Sequence, residues 1–92
     1  MQFLKALRPR IADGEITTSI RIWRSARVKP GGRYRMGEGW VVVEDIREIA
    51  VEAVTGEMAR DSGFAGVVDL LKTARHGSGN RVFLVRFHYE AT

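Results

Sequence analysis

With 92 residues, 45% of them hydrophobic and 28% charged, the chain has the composition of one folded domain over 1–92 and is too short for a separate catalytic domain. It has no cysteine, which excludes disulfides, thiolate nucleophiles and cysteine zinc sites, and its two histidines, His76 and His88, stand in no carboxylate–histidine cluster, so neither a metal site nor a cofactor is expected. The net charge of +4 fits either a basic face that attracts phosphate backbones or an ordinary solvated surface, and no apolar run approaches the ~20 residues that cross a bilayer or forms a signal-peptide core, so a soluble cytoplasmic protein without membrane contact is expected.

Residues 1–7 mix apolar and polar positions and read as a first strand. Residues 8–13 make a turn or a single helical turn, because Pro9 forbids a long helix and Gly14 stops it. Residues 17–23 are the clearest strand: rich in β-branched side chains and strictly alternating. Thr18, Ile20 and Ile22 point one way, as core, while Thr17, Ser19, Arg21 and Trp23 point the other.

Lys29-Pro30-Gly31-Gly32 is a turn, since proline presets φ and glycine accepts φ > 0. Residues 33–36 form a short strand, Gly37-Glu38-Gly39 a second turn, and residues 40–49 a long strand. Its run Val41-Val42-Val43 is too continuous for a one-sided face, which predicts a strand crossing the middle of a closed or nearly closed sheet, with Trp40 in the core.

Thr55 caps a short helix through Arg60, with Glu57 in its first turn and Gly63 at its end. A second helix runs from about 65 to 75, with Val67, Val68, Leu70, Leu71 and Ala74 as its apolar face and Gly77 as its C-terminal cap. Residues 78–80 are a loop. Residues 82–89 are the last strand, with Phe83, Val85, Phe87 and Tyr89 on one side as core. Strands dominate and two short helices interrupt them, which predicts an α+β domain built on a curved sheet.

Charge is sorted along the chain: residues 1–36 carry nine Lys/Arg against two acids, residues 37–69 two against eight, and residues 70–92 four against one. Twelve of the fifteen bases are arginine, a side chain suited to bidentate phosphate contacts and to stacking on bases. Two readings stand side by side. In one, Ser19, Arg21 and Trp23 form a ligand-facing stripe, and Arg24, Arg27, Lys29, Arg33 and Arg35 a basic rim around the Pro30 turn. In the other, these are a solvated strand face and surface, with Trp23 covering a hydrophobic patch. His76 either touches phosphate or caps its helix. Glu44, Asp45, Glu48 and Glu52 read as a salt-bridged strand rather than a metal site, and no glycine-rich segment is followed by the Lys-Ser/Thr of a phosphate loop.

The segment Gly14-Glu15-Ile16-Thr17-Thr18-Ser19-Ile20-Arg21 resembles the signature of ASCH domains, Gly-x-Lys-x-x-Glu-x-Arg, in the PUA-like class. Val28-Lys29-Pro30-Gly31 is similar to that family's turn into the next barrel strand, and Ala59-Arg60-Asp61-Ser62-Gly63-Phe64 to its Ala-x-x-Glu-Gly-Phe between the two helices. The resemblance spans most of the chain in the right order. It implies a small β-barrel of five to six strands with two short helices. It also implies a ligand cleft between barrel and helical insertion. The candidate ligand-binding residues are then Thr17, Thr18, Ser19, Arg21 and Trp23 on the strand, with Arg24, Lys29, Arg33, Arg35 and Arg60 around it.

Small bacterial N4-acetylcytidine amidohydrolases share this fold, with Lys, Thr and Glu acting together. Here Gly14 and Arg21 match, but the lysine position is Ile16, the Glu/Thr position is Ser19, and the glutamate before Gly-Phe is Ser62. Ser19 and Asp61 are the remaining catalytic candidates, although a serine hydroxyl needs a base to become a nucleophile. The expectation is therefore a binding module for RNA or a modified nucleobase or nucleoside. The alternatives are an amidohydrolase or ribonuclease with altered residues, and a protein-interaction domain. An unpaired strand edge would also allow a homodimer.

Overall fold

The computed structural model describes residues 1–75 and 79–92. The expectations placed on His76, Gly77 and Ser78 lie outside the described residues. Four antiparallel strands, β1 (Thr18–Trp23), β2 (Arg33–Met36), β3 (Gly39–Ile49) and β4 (Arg81–Glu90), form one sheet in the order β1-β4-β3-β2. The sheet is a curled half-barrel whose outer strands β1 and β2 do not pair with each other. The architecture is α+β and barrel-like as expected, but with four strands, not five to six.

The missing strand is the N-terminal one. A 3₁₀ turn over Lys5–Leu7 runs into helix α1 (Arg8–Ala12), where Pro9 occupies the first turn and its absent N–H removes no helical bond. Phe3, Leu7 and Ile11 recur every four residues, a helical spacing, and all three are buried in the concave side of the sheet. A strand would have sent successive side chains to opposite faces. The open side of the half-barrel is thus filled by the N-terminal segment.

Turn chemistry falls where the sequence predicts. Gly32 N–H donates to Lys29 C=O at 2.9 Å and Gly31 has φ +81°, so residues 29–32 form a type II turn with proline and glycine in their preferred positions. Helix α2 (Gly56–Asp61) begins at Thr55, whose Oγ1 accepts from Met58 N–H at 3.1 Å. It ends in a Schellman motif: Phe64 N–H reaches Ala59 C=O and Gly63 N–H reaches Arg60 C=O, with Gly63 at φ +96°. Helix α3 covers Val67–Ala74.

The sheet buries both faces over part of its area. On the concave side Trp23, Met36, Val41, Val43, Phe83, Val85 and Phe87 pack with Phe3, Leu7, Ile11, Ile16 and Val28. The Phe3 and Phe87 rings lie 5.4 Å apart, tilted by 54°. On the convex side Ile20, Ile22 and Val82 pack under Val54, Ala59, Leu70 and Ala74 of the helical insertion. Strands β1 and β4 therefore carry apolar residues on both faces where the helices cover them.

Strand β3 is an inner strand of the sheet, as predicted, but its valine run is not buried on both faces and Trp40 is not core. Val41 and Val43 point inward, but Val42 and Trp40 stand half-buried on the convex side, beyond the helices. Trp40 is absent from both cores and lies instead under two guanidinium groups, Arg33 at 5.4 Å and Arg35 at 4.9 Å from its ring centre. The valine run is an alternating strand that uses a bulge between Val43 and Asp45 to change register.

Candidate functional site

A cavity of about 620 Å³ opens beside β1, the edge strand. Its walls come from four parts of the chain: the N-terminal segment (Gln2, Phe3, Leu7), the inward face of β1 (Ser19, Arg21, Trp23), the loop after it (Arg27, Val28), and the helical insertion (Ser62, Phe64, Thr73). The volume lies within the range of small-molecule and cofactor sites, roughly 300–1,000 Å³. Strand alternation and the curl of the sheet bring Ser19, Arg21 and Trp23 to this side.

Arg21 organises the cavity. Its Nε donates to Ser19 Oγ at 2.7 Å, its Nη2 donates to the Gln2 carbonyl at 2.6 Å, and its guanidinium carbon lies 4.8 Å from the centre of the Phe3 ring. Burial pushes its pKa down to about 10, which still leaves it cationic at neutral pH. Both of these acceptors are neutral, and among the described residues no carboxylate forms an ion pair with Arg21. Donors on Nη1 and Nη2 remain for a ligand.

Trp23 is 5% exposed and packs on Phe83 at 5.7 Å between ring centres, so it is the floor of the cavity and not an open stacking platform. The more accessible aromatic ring is Phe64, which is half-buried. Phe64, Phe3 and Gln2 are site residues that sequence reasoning misses. The four-residue spacing of Phe3, Leu7 and Ile11 is the available signal for the N-terminal pair, since it folds that segment back onto the sheet.

The other candidates do not converge here. Thr18 faces the convex side, where its Oγ1 lies 3.2 Å from Ser62 Oγ. Thr17, Lys29 and Arg60 are exposed and do not line the cavity. Arg24 is likewise exposed, and its carbonyl accepts from Arg81 at 3.3 Å. Arg33 and Arg35 lie on the convex side with Trp40, so the basic rim is divided between the two faces and only Arg27 joins Arg21.

The catalytic candidates are separated. Ser19 is buried and its hydroxyl accepts from a cation, while Asp61 is exposed and absent from the cavity wall. Among the described residues no Asp, Glu or His side chain lines the cavity. Among the described residues no side-chain carboxylate or imidazole of the cavity wall can take the Ser19 proton, which nucleophilic catalysis requires. Ile16, which stands where the resembled signature has lysine, is 2% exposed and belongs to the concave core.

Acidic residues pair elsewhere. Glu48 makes a two-pronged contact with Arg81, at 2.7 and 3.1 Å. On the convex side His88 lies between two carboxylates, Nδ1 at 2.7 Å from Glu44 and Nε2 at 2.9 Å from Glu90, and Glu90 also receives Arg33 at 2.8 Å. Hydrogen bonds to Glu90 and then Glu44 raise the His88 pKa, and those from His88 and Arg33 lower that of Glu90. Among the described residues no cluster of three or more such side chains is arranged to hold a metal ion, and no helix is long and apolar enough to cross a membrane.

Comparison of the chain with protein-family models, with curated proteins and with solved structures finds no match in any of the three.

Proposed function

We propose that the chain is a nucleic-acid-binding module of the ASCH kind, which takes a nucleotide or modified nucleobase of single-stranded RNA into the cavity beside β1. The observation that carries this reading is Arg21, a guanidinium held in place by Ser19, Gln2 and Phe3 inside a largely apolar cavity, with donors left free and no counter-ion among the described residues. Pre-positioned donors over an apolar, aromatic floor suit a flat, polar-edged ring. Exposed Arg27 in the cavity wall adds attraction to a phosphate backbone.

A binding role fits this chemistry better than a hydrolytic one, because the cavity wall has donors and hydroxyls but no side-chain proton acceptor among the described residues. The test is titration of labelled single-stranded RNA at two salt concentrations. Affinity should fall steeply with salt, and Arg21→Ala should weaken binding about tenfold or more, the effect of losing charged hydrogen bonds of ~1.5–3 kcal/mol. Unchanged affinity in Arg21→Ala would remove the cavity from the binding site.

A further inference from the structure

The cavity has two cationic side chains in its wall, Arg21 inside and exposed Arg27 in the loop after β1, and no acid among the described residues. Every other arginine with a located polar side-chain partner has one that is anionic or serves another surface: Arg10 pairs with Glu15, Arg33 with Glu90, Arg81 with Glu48, and Arg8 with the Phe3 carbonyl. Arg21 alone among these is both half-buried and supplied only with neutral acceptors. Withdrawing a charge from water without a counter-charge is costly, and an anionic ligand in the cavity would supply the counter-charge that Arg21 lacks.

A base edge is neutral and would leave that cation uncompensated. A phosphate monoester brings the negative charge, and arginine forks fit its oxygens. The Ser19 hydroxyl already accepts from Arg21, so its own proton is free to be donated, and Thr73 contributes a further hydroxyl to the wall. Arg27 lines the same cavity and is exposed, so a second guanidinium belongs to its solvent-facing wall.

We infer that the cavity is specific for a nucleoside phosphate monoester, with Arg21 and Arg27 gripping the phosphate, and that an uncharged nucleoside is a poor ligand. This rests on the nucleic-acid reading above and deepens it. The shared chemistry is a phosphomonoester on a nucleoside, carried either by a free mononucleotide or by the end of an RNA chain.

The experiment is calorimetric titration of the wild-type protein with four ribonucleosides, their 5′-monophosphates and their 3′-monophosphates. It continues with one single-stranded RNA made with 5′-hydroxyl, 5′-phosphate or 3′-phosphate ends. The expected result is at least tenfold tighter binding of one monophosphate series than of the nucleosides, and the same preference at the corresponding RNA end. Arg27→Ala, an exposed substitution that the fold tolerates, should abolish most of that preference, and an undiminished preference would overturn the two-arginine grip. If only free mononucleotides bind, the monoester inference stands and an RNA terminus is excluded as its source. Equal affinity for nucleosides and monophosphates would overturn the inference but leave the nucleobase reading intact. RNA binding indifferent to terminal phosphate would overturn it too. Binding of none of these ligands would overturn both.

Discussion

The Nε of Arg21 donates to Oγ of Ser19 at 2.7 Å, two residues along the same face of β1, and this pair occupies the wall of the cavity. The contact sets the character of the site. It holds the guanidinium in a fixed orientation, and it commits the serine oxygen to accepting a hydrogen bond from a cation, with no side-chain carboxylate or imidazole among the described residues of the cavity wall to remove its proton.

Purified protein incubated with N4-acetylcytidine is therefore expected to yield no cytidine above background, as read by chromatography. Ser19→Ala should instead weaken RNA binding about three- to tenfold, the effect of losing a hydrogen bond of ~0.5–1.5 kcal/mol that orients Arg21. Conversion that vanishes in Ser19→Ala would show that the serine is activated after all and would move the enzyme reading ahead.

Introducing a lysine at residue 16, as in the amidohydrolase signature that the sequence resembles, should not create that chemistry. Ile16 is buried in the concave core, against Gly63, and is absent from the cavity wall. Ile16→Lys would bury an unpaired ammonium, so a loss of several kcal/mol or outright unfolding is expected. A urea melt of the variant checks this. A folded Ile16→Lys protein of wild-type stability would mean that residue 16 reaches solvent.

Gly63 combines two constraints. Its φ is +96°, and a Cβ there would lie 2.7 Å from Leu7 Cδ2 and 2.9 Å from Ile16 Cδ1. Gly63→Ala is expected to cost about 1–3 kcal/mol from backbone strain and overpacking together. The variant should also weaken RNA binding, because the neighbouring Ser62 and Phe64 line the cavity. Thermal denaturation and the RNA titration measure the two effects, and a change in neither would mean that the turn at Gly63 shapes neither core nor cavity.

The convex cluster gives a pH dependence with a defined sign. His88 is raised above its ordinary 6.5, so the stabilisation that it gains from Glu90 and Glu44 is full below pH 6.5 and fades as pH rises through the folded value. Glu90 is lowered below its ordinary 4.5, so its contribution is full above that pH and fades as pH falls. The stability difference between wild type and His88→Gln should then be largest between about pH 5 and 6.5 and shrink toward pH 8.5. Melting curves across that range would show it, and a gap that widens with rising pH would contradict the assignment.

Much of the local structure is legible in the sequence because its causes are local. Pro30 and Gly31 prescribe a type II turn, Thr55 a helix start, and Gly63 a helix end, each through φ preferences or a hydrogen bond within a few residues. The alternation of residues 17–23 is enough to put Ser19, Arg21 and Trp23 on one face, and that face does line the cavity. The segment 1–7 is not legible in the same way, because its polar and apolar residues fit a strand as well as a helical turn at that length. Nor is the place of Trp40, because its burial depends on which part of the sheet the helices cover.

Side-chain period and backbone preference, acting over short distances, suffice for the strand faces, the turns and the two-helix insertion, and the composition alone supplies the arginines. What each face meets is a tertiary matter. The N-terminal segment, folded onto the concave side, makes Gln2 and Phe3 partners of Arg21 nineteen and eighteen residues away, and sheet pairing brings His88 between Glu44 and Glu90. The same pairing turns Arg33 and Arg35 away from the cavity that Arg21 and Arg27 share. Contacts across such separations depend on register, curl and the closing of one layer on another, which no local pattern encodes.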